Sequence, residues 1–86
     1  MEIEKYLLEK GVSPSCKGYD YLIKAIKLIR EDYQYAHDIT KTLYPKIAEC
    51  FKTKSSSVQR LIQHSIKHIQ MKPIEFIRIA ELETRK

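Results

Sequence analysis

Apolar side chains return every three or four residues along most of this 86-residue chain, and no segment alternates apolar and polar positions long enough to make a strand. That pattern predicts an all-α chain. A first helix is expected over about Ile3 to Lys10, with Ile3, Tyr6, Leu7 and Leu8 apolar and Gly11 where a left-handed cap would end it. Val12 to Cys16, with Pro14, reads as a short connector. A longer helix follows from about Gly18 to Tyr33. Its apolar stripe is Tyr19, Leu22, Ile23, Ile26, Ile29 and Tyr33, and its wet side carries Lys24, Lys27, Arg30 and Glu31.

The pattern breaks at Gln34 to Asp38, after which Asp38 can cap a short turn through Leu43. Pro45 suits the first position of a new helix, where its missing amide proton would have no partner in any case. This helix is brief and ends at Phe51. Lys52, Thr53 and Lys54 interrupt the periodicity, and Ser56 with Gln59 three residues on supplies a capping box for a helix from about Ser57 to Gln70. Pro73 stops that helix and starts the last, whose Ile74, Ile77, Ala80 and Leu82 are expected to cover the core. The expectation is one small single domain over residues 1–86, of five to six helices. With 43% apolar residues it can build a single core, and it is too short for a second domain.

The helices on either side of Lys52 have helix-turn-helix spacing, over about residues 44–70. Ile47, Ala48, Phe51, Val58 and Leu61 occupy positions that must be apolar for two helices to cross closely, and the small Ala48 permits that approach. Val58, Leu61, Ile62, Ser65, Ile66 and Ile69 would bury one face of the second helix. Lys52 stands where a turn glycine is often used. Two amphipathic helices joined by any short polar turn share some of this pattern, so spacing alone does not decide.

Charge narrows the choice. Residues 1–43 hold seven Lys/Arg and seven Asp/Glu, whereas residues 44–86 hold nine and four, so the whole formal charge of +5 lies in the C-terminal half. No acidic residue occurs between Cys50 and Glu75, a span carrying Lys52, Lys54, Arg60, Lys67 and Lys72. A basic field confined to one region attracts polyanions. The alternative is a solvated basic face without a ligand.

If the second helix packs through its apolar stripe, its other face presents Ser57, Gln59, Arg60, Gln63, His64 and Lys67. Ser57, Gln59, Arg60, Gln63 and His64 are the candidate base readers of double-stranded DNA. Arginine matches the O6 and N7 acceptors of guanine and glutamine the N6 and N7 pair of adenine. Lys52, Lys54, Ser55, Ser56 and Lys67, with the free amides at the helix start, are the candidate phosphate contacts, which position a protein without telling bases apart. For Gln59 and Gln63 plain solvated surface is the competing assignment.

Other chemistries find less support. His64 and His68 are spaced as a metal-binding pair on a helix, yet Ser65 replaces the glutamate of HExxH and no third ligand is apparent. No glycine-rich phosphate loop or nucleophile elbow occurs, so no enzyme activity, metal site or cofactor is expected. Cys16 and Cys50 are far apart without a metal-like spacing, and no signal peptide precedes them, so reduced, partly buried thiols and a cytoplasmic location are expected. The longest apolar run is three residues, too short for a bilayer. Of the six tyrosines, Tyr19, Tyr33 and Tyr44 are expected in the core and only Tyr21 and Tyr35 at the surface, too few for a single-strand groove.

Three segments, KGYDYLIKAI from Lys17, ITKTLYPKIAECF from Ile39 and SSVQRLIQHSI from Ser56, closely resemble the DNA-binding effector domain of the stage zero sporulation protein A family, in the same order and spacing. The match covers most of residues 3–70. It implies a six-helix fold with a central helix-turn-helix, binding promoter DNA as tandem copies and regulating transcription. It further implies a second copy on tandem sites and RNA polymerase as partners. Arg60 matches the family's recognition-helix arginine, and Ser56, Val58, Ile62, His64 and Ile66 match as well. Ser57 stands where the family usually has arginine, Gln59 where it has glutamate, and Gln63 where it has a second arginine used on DNA.

These departures imply a kept docking mode with a different or relaxed target; the alternative is a helical protein-interaction module that has lost specific DNA binding. The tail after Met71 lacks the glycine and the aromatic-glycine ending of the family, so its polymerase-contacting surface is not carried onto residues 72–86. The receiver domain that precedes this module in full regulators has no counterpart in the sequence, and the chain reads either as an excised part of such a regulator or as a free-standing relative.

Overall fold

The computed structural model describes residues 2–85. Among these residues five α-helices follow one another: α1 (Ile3–Glu9), α2 (Lys17–Glu31), α3 (Tyr44–Phe51), α4 (Ser55–Ser65) and α5 (Pro73–Thr84), with a 3₁₀ turn at Tyr33–Ala36 and a π-helical turn at Ile39–Leu43. Among the described residues there is no strand. The all-α reading and the central helix-turn-helix stand.

Helix ends follow local chemistry. Gly11 takes φ +81°, and Gly11 N–H and Val12 N–H donate to Leu8 O and Leu7 O, both at 3.0 Å, so α1 ends in the paired bonds of a left-handed cap. Asp38 Oδ1 accepts from Lys41 N–H at 3.2 Å and starts the π-helical turn, which runs straight into α3. α3 then ends as α1 does: Lys52 sits at φ 54°, ψ 51°, with Lys52 N–H donating to Glu49 O and Thr53 N–H to Ala48 O. The expected glycine position is therefore real, and a lysine fills it.

α4 departs from expectation at both ends. It starts at Ser55, with Lys54 extended before it and no side-chain cap, so Ser56 lies inside the first turn and the Ser56–Gln59 box does not form. It stops at Ser65 rather than Gln70. Ser65 Oγ donates back to Leu61 O at 2.8 Å, a bond that competes with the helix ladder, and Ile66 to His68 form a looser turn. Ile66 is buried and Ile69 half-buried in that turn, which is why the apolar spacing mimicked more helix. The box that does form lies at α5, where Lys72 N–H donates to Glu75 Oε1 at 3.0 Å.

α2 is the central strut and touches the other four helices; α4 lies on α2 and α3, and α5 on α2 and α1. Leu22, Ala25, Ile26 and Ile29 of α2 meet Leu7, Ile47, Val58, Ile62, Phe76 and Ile77 in one core. Several side chains go where periodicity did not put them. Tyr21, expected outside, is buried, and Tyr33, expected in the stripe, is largely exposed because α2 ends before it. Phe51 is 42% exposed with its ring edge-on to Tyr21 at 5.0 Å, and Leu8 and Leu82 are also exposed.

Arg30, expected on the wet side, reaches α5. Its Nε pairs with Glu81 Oε2 at 3.1 Å and its Nη2 donates to Thr84 Oγ1 at 2.6 Å, while Arg85 makes a second pair with Glu81. Glu81 is 1% exposed, so these contacts keep a buried charge matched.

Candidate nucleic-acid interface

α4 is set by one ridge. Val58, Ile62 and Ser65 are buried, and at about 100° per residue the positions opposite that ridge are Ser56, Arg60 and Gln63. Ser57, Gln59 and His64 fall on the flanks. Arg60, Gln63, His64 and Ser56 are exposed, whereas Ser57 and Gln59 are half-buried. Of the five candidate base readers, Arg60, Gln63 and His64 share the exposed side, with Arg60 near its centre line, while Ser57 and Gln59 lie half-buried on opposite margins. Ser56, assigned to phosphate, shares the central line. Leu61 is only half-buried, at the edge of the ridge.

Lys52, Lys54 and Ser55 lead into the start of α4; both lysines are exposed and Ser55 is half-buried. Ser57 N–H and Val58 N–H donate to Lys54 O at 3.0 and 3.1 Å, and the amides of Ser55 and Ser56 are those a helix leaves without an internal acceptor. No acidic residue lies in this first turn. Cations beside the positive end of a helix dipole are unfavourable for the isolated protein; an anion docked there reverses the sign. Lys67 is exposed just past the other end of α4, in the turn.

α3 supports this face from behind. Tyr44 is buried, and burial pushes its phenol up to about 12. Glu49 sits beside Lys46 at 3.5 Å and holds that ammonium above its ordinary value. Cys50, expected packed, is exposed, and Cys16 is half-buried.

The histidines separate. α4 ends between them, so His64 stays on its exposed face while His68 Nε2 bonds to Lys10 O at 2.8 Å, tying the turn after α4 to the end of α1. They do not share a helical face. Among the described residues no group of three or more His, Cys, Asp or Glu could hold a metal ion, and no helix is long and apolar enough to cross a membrane.

Periodicity overlooked one neighbour of the site. Met71 and Pro73 join Gln63, Ile66, Lys67 and Ile69 around a shallow groove of about 310 Å³ beside the exposed face of α4. Met71 lies in a turn, where no helical spacing could have flagged it.

A family model described as "Sporulation initiation factor Spo0A C terminal" matches residues 3–82, which span all five helices apart from the last two residues of α5.

Proposed function

The chain belongs to the Spo0A C-terminal family, the DNA-binding part of a sporulation regulator, and from that premise we propose that residues 44–70 dock on double-stranded DNA with α4 in the major groove, binding selected sequences and regulating transcription. The observation that carries this reading is Arg60: it stands exposed opposite a ridge locked into the core, within a span that has no acidic residue. A helix so fixed presents its outer side chains in one orientation, which base reading requires.

Within this reading Arg60, Gln63 and His64 face base edges, Arg60 bidentate to guanine. One such contact discriminates by about 1–3 kcal/mol. Ser57 and Gln59, at the margins, act on the outer bases of the site. Lys52, Lys54, Ser55, Ser56, Lys67 and the α4 amides hold phosphates and set the register. Tandem copies on one promoter and contact with RNA polymerase belong to the same proposal, supported by family membership.

Two measurements test it together. Titrating duplex DNA at several salt concentrations gives the phosphate count; release of counterions at three lysines alone predicts a log-log slope of roughly −3. Selection of bound duplexes from a random pool gives the sequence preference, and a motif differing from the family's usual box is expected because Ser57, Gln59 and Gln63 replace its charged residues. A flat salt response with no enriched sequence would favour the protein-interaction module instead.

A further inference from the structure

α5 buries Phe76, Ile77, Ala80 and Glu81, and leaves Ile79 and Leu82 at 42% and 53% exposure. These two line an open groove of about 300 Å³ with Ile74, Glu75 and Arg78. Helical spacing sets Glu75, Arg78 and Leu82 in one line, three and four residues apart, with Ile74 and Ile79 on either flank. That is the spacing of a seam between two helices.

We propose that this face binds a second copy of the chain, with the two α5 helices antiparallel about a two-fold axis at the level of Phe76 and Ile77. In that register Glu75 lies opposite Arg78 of the partner subunit, and Arg78 opposite the partner's Glu75. Charge complementarity selects this occupant and this direction. An in-register parallel pair would set Glu75 on Glu75 and Arg78 on Arg78, whereas the antiparallel pair matches both charges by symmetry.

Both groups are already held in place. Arg78 donates to Tyr33 Oη with its guanidinium 5.6 Å from that ring, and Glu75 Oε1 accepts from Lys72 N–H at 3.0 Å. A guanidinium has further N–H donors and a carboxylate a second oxygen, so each retains capacity for a contact across the axis.

The size of the surface sets the strength. A twelve-residue helix is about 18 Å long, and one such pair buries less than the roughly 1,200 Å² at the low end of stable interfaces. The dimer is therefore weak and forms at high protein concentration. It needs no DNA and does not rest on the DNA reading, and it differs from a neighbour on tandem sites, where successive copies share one orientation.

Sedimentation equilibrium of the chain without DNA, up to about 1 mM, tests the pairing. The average mass is expected to climb from monomer toward dimer. Glu75→Arg or Arg78→Glu alone should weaken association by about tenfold, and combining them should restore it to within about threefold. Ile79→Ser, which removes apolar area exposed at the level of the partner's Ile74 and no charge, should also weaken it with helicity unchanged by circular dichroism. A monomer at every concentration, an unaffected Ile79→Ser dimer, or a double reversal no better than its well-folded single variants would overturn the proposal.

Discussion

Gly18 and Ser65 meet where α2 crosses α4: a Cβ built on Gly18 would stand 1.7 Å from Ser65 Oγ and 2.5 Å from the carbonyl oxygen of Leu61. The crossing is closed by the absence of a side chain. Because Leu61 O belongs to the α4 backbone, the clash cannot be relieved by turning one rotamer; α4 itself must move.

Gly18→Ala therefore sets two effects against each other. Alanine gains about 1 kcal/mol of helix propensity over glycine, and overpacking loses about 1–3 kcal/mol or more. With contacts this short the loss should win, giving a net destabilisation of about 2 kcal/mol in urea unfolding. DNA affinity should fall as well, since α4 is displaced. An equally or more stable alanine variant would show that the crossing is looser than described.

Lys52 is the reverse case, a side chain where glycine would be easier. Lys52→Gly removes the left-handed strain, worth about 1 kcal/mol, though glycine's freer unfolded chain offsets part of it. Stability should rise by a few tenths to about 1 kcal/mol, while affinity for every duplex falls alike and the salt slope flattens by about one. Unchanged DNA binding would remove Lys52 from the phosphate contacts.

Glu81 makes a prediction for acid. Hydrogen bonds from Arg85 first, and then from Arg30, hold its carboxyl below the ordinary glutamate value of 4.5 against the opposing effect of burial. A carboxyl depressed in the folded state stabilises the fold above its unfolded value, and that contribution is lost as pH falls through the folded one. Glu81→Gln should thus cost about 2 kcal/mol at neutral pH, with the gap to the unaltered protein closing as the pH falls below 4.5. A gap independent of pH would mean the loss comes from packing.

How much of this was legible in the sequence depended on how local the cause was. The Gly11 and Asp38 ends were readable because one residue and its near neighbours decide them. The glycine-like site at Lys52 was visible as a position, though not as a strained lysine. The end of α4 was not, because Ile66 and Ile69 keep helical spacing in a chain that has already left the helix. Arg30 looked like surface since its partners, Glu81 and Thr84, lie more than fifty residues away. The role of Gly18 also depends on a distant helix, and only the crossing reveals it. On the candidate site, the exposed line through Arg60 followed from the apolar stripe, while the half-burial of Ser57 and Gln59 came from neighbouring elements that periodicity does not see.

The division between reading and positioning is tested most directly by comparing Arg60→Ala with Lys54→Ala on a selected duplex and on a scrambled one. Arg60→Ala should lose about 1–3 kcal/mol on the selected duplex, relax one position of its sequence and barely change the scrambled one, whereas Lys54→Ala should weaken both equally. Equal losses on both duplexes for both variants would contradict the placement of Arg60 against the bases.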